Sequence, residues 1–169
     1  MGRMPKCVFL LIAVLAIAGC GTPSRPVPIK TPGPGPLTGM EKYLWDGIRG
    51  WQGVPYKWGG NSARGVDCSG LVVIVYRRLF NLQLPRTTKD QIRVGVPVSS
   101  GQLRAGDLVF FLDADNARHV GIYLRNRMFI HASKSRGGVV VSQLDAPWWR
   151  DIYRTARRVI PRYQSAVTD

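Results

Sequence analysis

The sequence predicts an α+β domain, with helices packed on an antiparallel sheet of about five strands. Three observations predict it. Apolar residues between 40 and 79 recur at helical spacing. From Gly106 onward, short β-rich runs alternate with turn signals. After the first 39 residues of the 169-residue chain, what remains has the length of one domain, shows no internal repeat and holds no apolar run able to span a bilayer.

The elements follow in order. Arg3 and Lys6 precede an apolar run at 8–18, "VFLLIAVLAIA", which reads as the core of a signal peptide over 1–19. The run ends in Ile-Ala-Gly-Cys at 17–20, which resembles a bacterial lipobox. On that reading Cys7 is discarded with the signal and Cys20 is acylated, becoming a lipid anchor through its buried methylenes. Gly21 after the cysteine, in place of an aspartate, points in a bacterium with two membranes to the outer membrane facing the periplasm. An ordinary signal peptide ending near a cysteine is the alternative. Residues 20–39 are dense in Pro and Gly and read as an extended tether. The domain proper is expected over 40–163, with a tail at 164–169.

Within the domain, apolar residues at 40, 44, 45 and 48 predict a short amphipathic helix. The stretch 53–65, "GVPYKWGGNSARG", reads as a glycine-rich loop leading to Cys68. The run "CSGLVVIVYRRLFN" places 68, 71, 72, 75, 76 and 79 on one helical face, while its β-branched core favours a strand. Length and the polar end at Arg77-Arg78 favour a buried helix, capped by Asp67. A turn and short helix follow over 84–95, with Thr87 and Asp90 as a capping-box variant. Strands are expected at 107–111, 119–124, 128–132, 138–144 and 156–160, with a short helix at "PWWRDIY".

The formal net charge is +14, and Glu41 is the only glutamate. Such a field favours anionic surroundings: phospholipid head groups, wall polymers or nucleic acid. Export argues against nucleic acid, and no run of consecutive basic residues marks a groove for it.

Cys68 is the one cysteine outside the targeting segment, so an exported domain carries a thiol with no disulfide partner. At the first turn of a helix its sulfur feels the positive end of the backbone dipole, which favours the thiolate. Asp67 opposes this by like-charge repulsion, so a further positive group is expected. His119 and His131 are the only histidines. An imidazole could pair with the sulfur and later protonate a leaving amine. His119 suits the base and His131 the group that orients it. The two fall on neighbouring strands joined around 125–127. They share a face only if the connection has an odd loop or a bulge, because a slip of one residue flips the side-chain set. An inert core cysteine with structural histidines, or a zinc site from the same three residues, are the alternatives.

Seven motifs then occur in an ordered series: "PYKWGG" (55–60), "DCSGLV" (67–72), "LPRTT" (84–88), "GDLVFF" (106–111), "HVGIYL" (119–124), "FIHAS" (129–133) and "ARRV" (156–159). This series resembles the NlpC-type cell-wall cysteine peptidases, most of all the small Spr-type lipoprotein members, from about Gly50 to Val159. The resemblance implies a papain-like fold and hydrolysis of amide bonds in peptidoglycan stem peptides, at the γ-D-glutamyl to diamino acid link or at a cross-link. It implies Cys68 as nucleophile, His119 as base and His131 as third member. It implies Tyr56 beside the sulfur, holding substrate or the oxyanion, and Asp67 and Ser69 contacting the stem peptide's amine. It implies no cofactor and no metal. An exported thiol amidase or acyltransferase on another amide, and a non-catalytic envelope scaffold, stay open as alternatives.

Overall fold

The computed structural model describes residues 35–37 and 39–160. The signal peptide, Cys20, most of the tether and the C-terminal tail lie outside the described residues.

Helix α1 (Gly39–Ile48) buries Leu44, Trp45 and Ile48, the stripe its apolar spacing dictates. A 3-10 turn, Arg49–Trp51, carries the chain into the glycine-rich stretch. That stretch is more ordered than a loop: β1 (Asn61–Ser62) and β2 (Gly65–Val66) pair as a small antiparallel ribbon delivering the chain to Asp67. Helix α2 (Cys68–Phe80) follows, and Asn81 ends it in the left-handed conformation at φ 52°. Its Val72–Val75 run is helical because burial outweighs propensity. Each β-branched residue costs a few tenths of a kcal/mol in a helix, whereas burying it contributes about 1.5–3 kcal/mol. Val72, Ile74 and Val75 are all buried.

Helix α3 (Thr88–Gln91) starts at the expected cap: the Thr87 hydroxyl accepts from the Asp90 N–H at 3.3 Å and donates to the Asp90 carboxylate at 2.6 Å. Then come β3 (Val96–Val98), β4 (Leu108–Leu112), β5 (Arg118–Arg125), β6 (Met128–Ser133), β7 (Gly138–Gln143), α4 (Pro147–Ile152) and β8 (Tyr153–Arg158). The sheet has six antiparallel strands in the order β3-β8-β4-β5-β6-β7. The extra strand, β3, is a three-residue edge strand holding Pro97, too short for a pattern and suited to an edge by its missing donor.

Both faces of the sheet are covered, not one. Leu108, Phe110, Val120, Ile122, Ile130 and Ala132 pack with α1 and α2. Val109, Phe111, Tyr123 and Phe129 point the other way and gather Trp149 and Ile152 of α4. The late arginine motif fastens this arrangement: Arg158 donates to both oxygens of buried Asp107, at 2.8 and 2.7 Å, tying β8 to the entry of β4.

The β5–β6 hairpin decides where the histidines point. Its loop has two residues, Asn126 and Arg127, at φ 47° and 62°, as a tight hairpin turn demands. Arg125 pairs with Met128 and Tyr123 with Phe129, leaving Leu124 as the extra residue of a bulge. The bulge restores the parity that the two-residue loop would have broken. In the Ile122–Ile130 register, His119 and His131 are diagonal neighbours on one face.

Candidate active site

The site begins at the start of α2. The Asp67 carboxylate caps the helix, accepting the Gly70 N–H at 2.6 Å. The chain passes so close here that a Cβ on Gly70 would stand 2.2 Å from the Gly60 carbonyl oxygen. Only glycine fits, which explains one glycine of the "DCSG" motif. Gln91, fully buried, donates to the Ser69 and Pro85 carbonyls at 3.1 and 2.8 Å and anchors α3 beside the same turn.

Cys68 is half-buried and forms no disulfide among the described residues. Its Sγ lies 3.7 Å from the Thr88 hydroxyl. The N–H groups of Val120 and Ser69 also reach it. Val120 directly follows His119, so the sulfur sits at the mouth of β5. Cys68, His119, Tyr56, Thr88 and Trp149 line one open cleft of about 1080 Å³.

Across the cleft the histidines form a chain. His119 Nε2 and His131 Nδ1 are 2.8 Å apart, and His131 Nε2 is 2.9 Å from the Ser142 hydroxyl. One assignment of tautomers along this chain lets His119 act as a base. With Nδ1 of His119 free to accept a proton, Nε2–H donates to His131 Nδ1, and His131 Nε2–H donates to Ser142. His131 thus uses both nitrogens on hydrogen bonds, the role of an orienting group.

Asp67 is paired with Arg86. Arg86 Nη1 donates to Oδ1 at 2.9 Å and Nη2 to Oδ2 at 2.7 Å. Oδ1 also accepts from Gly70 N–H and the Ser69 hydroxyl, and Oδ2 from Gly59 N–H. Five donors meet a carboxylate with about four lone-pair sites. Burial alone would raise the Asp67 carboxyl, but the Arg86, Gly70 and Ser69 hydrogen bonds hold it below the usual carboxylate range. Asp67 and Ser69, expected to meet a substrate amine, line the cleft with hydrogen bonds of their own already made. Asp67 has no free acceptor site, and the Ser69 hydroxyl already donates to Asp67 and accepts from Arg86 at 2.8 Å. Both residues build the helix start.

A correction concerns the charge on the sulfur. Burial pushes the Cys68 thiol up, and Asp67 adds to the rise. The Thr88 hydroxyl and the Val120 and Ser69 N–H groups offset only part of it. Burial pushes the His119 imidazole down to about 4 and, with His119 beside it, holds His131 well below its usual value. Both directions favour the uncharged thiol and the uncharged imidazole. Tyr56 stands close enough that burial first, then charge on Cys68 and Asp67, raise its hydroxyl.

Residues 53–158 match the NlpC/P60 family. The chain belongs to that family. It is 45% identical over 123 residues to the Escherichia coli protein named murein DD-endopeptidase MepS/murein LD-carboxypeptidase, covering 73% of this chain and 65% of that one. It is 42% identical to the E. coli protein named "Probable endopeptidase NlpC", covering 92% of this chain and all of that one. Among solved structures, an NlpC/P60 family protein of Bacillus cereus superposes with a TM-score of 0.66 at 31% identity, over 75% of this chain and 42% of its own. The chain thus spans a little under two thirds of the murein endopeptidase it matches.

Four residues of the site escaped sequence reasoning. Arg86 and Thr88 lie inside "LPRTT", whose presence was legible and whose chemistry was not. Ser142 is one polar residue in a strand, diagonal to His131 across the β6–β7 ladder. Trp149 lies in "PWWRDIY", which reads only as a short helix.

Proposed function

We propose that the protein is a peptidoglycan endopeptidase that cleaves stem-peptide amide bonds by thiol acyl transfer. One observation carries this: Cys68 at a helix start and His119, the outer member of the His119–His131–Ser142 chain, line one cleft, in a chain of the NlpC/P60 family.

The neutral resting pair sets the order of steps. Cys68 Sγ attacks the carbonyl carbon while its proton passes to His119 Nδ1. The carbonyl π pair moves onto oxygen. That oxyanion accepts from the Cys68 N–H, which as the first amide of α2 has no intrahelical partner, with the Tyr56 hydroxyl assisting. The C–N bond then breaks, and the amine leaves with the proton from His119. Water, giving its proton to His119, cleaves the thioester. The murein names of the relatives favour a cross-link bond over the γ-D-glutamyl link. The cleft suits a large substrate: Trp58 and Trp148, 85% and 60% exposed, stand among its lining residues.

The anchor belongs to the same reading. The lipobox at 17–20 and the tether after it support acylation of Cys20 and a place at the outer membrane facing the periplasm. Radiolabelled palmitate incorporation that survives Cys20→Ala would refute the anchor.

The decisive experiment digests purified cross-linked muropeptides and identifies the products by mass spectrometry. Wild type is expected to yield hydrolysed stems. Cys68→Ala and Cys68→Ser are expected to stay folded and release nothing. Full hydrolysis by either variant refutes the mechanism, and a transferred acyl group in the products would indicate an acyltransferase instead.

A further inference from the structure

Trp149 has a role that neither its burial nor its place on α4 explains. Pro147, at the first position of α4, starts this six-residue helix after a three-residue turn from β7. Trp149 then lies over the histidine pair. Its ring stacks on His119 with centroids 5.6 Å apart and 29° between planes. It meets His131 edge-on at 4.8 Å and 75°. Phe111 and Phe129 hold the indole from behind, at 4.8 and 5.1 Å. Phe129 also stacks on His131 at 4.9 Å and 26°. The His119–His131 hydrogen bond is therefore enclosed by aromatic rings, while Cys68 and the reacting atoms lie on the cleft side.

An aromatic face does two things for such a ring. It excludes water that would compete for Nε2–H, and it attracts a cation over its π cloud. His119 becomes a cation only in passing, when it holds the thiol proton. Stabilisation that acts on the imidazolium and not on the neutral ring lowers the barrier and leaves ground-state binding alone. We propose that Trp149 is a positioning residue that stacks on His119, holds its Nδ1 edge toward Cys68 and stabilises the imidazolium formed during proton transfer. The proposal rests on the thiol-peptidase reading of the cleft, but its test does not depend on the substrate.

The test compares Trp149→Phe with Trp149→Leu. Both are apolar and fill space, and only Phe keeps a π face. Two readouts are taken: the rate of Cys68 alkylation by iodoacetamide at fixed pH, in which the thiol proton again passes to His119 as iodide leaves, and kcat and KM on muropeptides. Phe is expected to keep both rates within about threefold of wild type. Leu is expected to lower the alkylation rate and kcat about 30-fold with KM within about twofold, the size of a desolvated cation–π contact. Equal losses in Phe and Leu would reduce Trp149 to a filler and overturn the proposal. If Leu fails to fold, site-specific fluorinated tryptophan at 149 serves, since fluorine drains the π face at constant shape. Alkylation should then slow with each added fluorine, and a flat series overturns the proposal. If the alkylation series behaves as expected and no muropeptide is cut, the proposal stands and the peptidoglycan reading fails.

Discussion

The dryness of the histidine pair should show as acid lability. In an unfolded chain each histidine titrates near 6.5, whereas folded His119 is held at about 4. Between these values the unfolded chain binds a proton that the folded one refuses, so stability falls as pH falls through that window and is level above it. At 1.36 kcal/mol per pH unit, the gap from 6.5 to about 4 sets a ceiling of about 3.4 kcal/mol for His119. The ring opens partly onto the cleft, so solvent screening reduces this to about 2 kcal/mol. His131, depressed in the same direction, adds to the loss. Asp67 acts in a lower window. Its folded value lies below 3.8, so its contribution persists until pH falls below the ordinary carboxylate range. Urea denaturation followed by circular dichroism at pH 7.5 and 5.0 separates the two. With a urea slope of about 1–3 kcal/mol/M, the midpoint should drop by about 1 M over this range. His119→Gln/His131→Gln should flatten the dependence, since the chain has no other histidine. Equal wild-type midpoints at the two pH values would mean that the pair is hydrated and that the neutral-dyad mechanism is wrong.

Three further outcomes follow from the same geometry. His131→Asn, whose Oδ1 falls near the former Nδ1 and can accept from His119, should retain more activity than His131→Ala. The alanine leaves a buried N–H unpaired at about 1–3 kcal/mol, or roughly 5- to 150-fold in kcat; equal losses would assign His131 another task. Ser142→Ala removes the partner of His131 Nε2 and should lower kcat severalfold without moving KM, a split that steady-state kinetics reads directly. Arg86→Met leaves Asp67 charged without its cation and should cost about 2 kcal/mol in urea unfolding, discounted from buried-pair values because Arg86 is partly exposed. Adding Asp67→Asn should recover part of that loss, and a strictly additive double variant would show that the pair is not coupled.

The sequence alone determined most of the scaffold. Helix-period spacing at 40–48, the Asp67 cap, the Thr87–Asp90 cap and the β-rich runs after Gly106 are local signals, and local signals survive without knowledge of the fold. The sequence also singled out Cys68, His119 and His131 by scarcity, and set the condition for the two histidines to share a face. Tertiary structure decided the rest. The Leu124 bulge, which meets that condition, depends on pairing between strands. The ion pair of the Asp67 cap was not legible because Arg86 arrives from a separate segment 19 residues along the chain. Burial, a property of the assembled cleft, favours the uncharged forms of Cys68 and His119. Trp149 and Ser142 acquired roles only when α4 and β7 closed over the histidines, since dryness and ring stacking arise from packing and leave no trace in the spacing of residues.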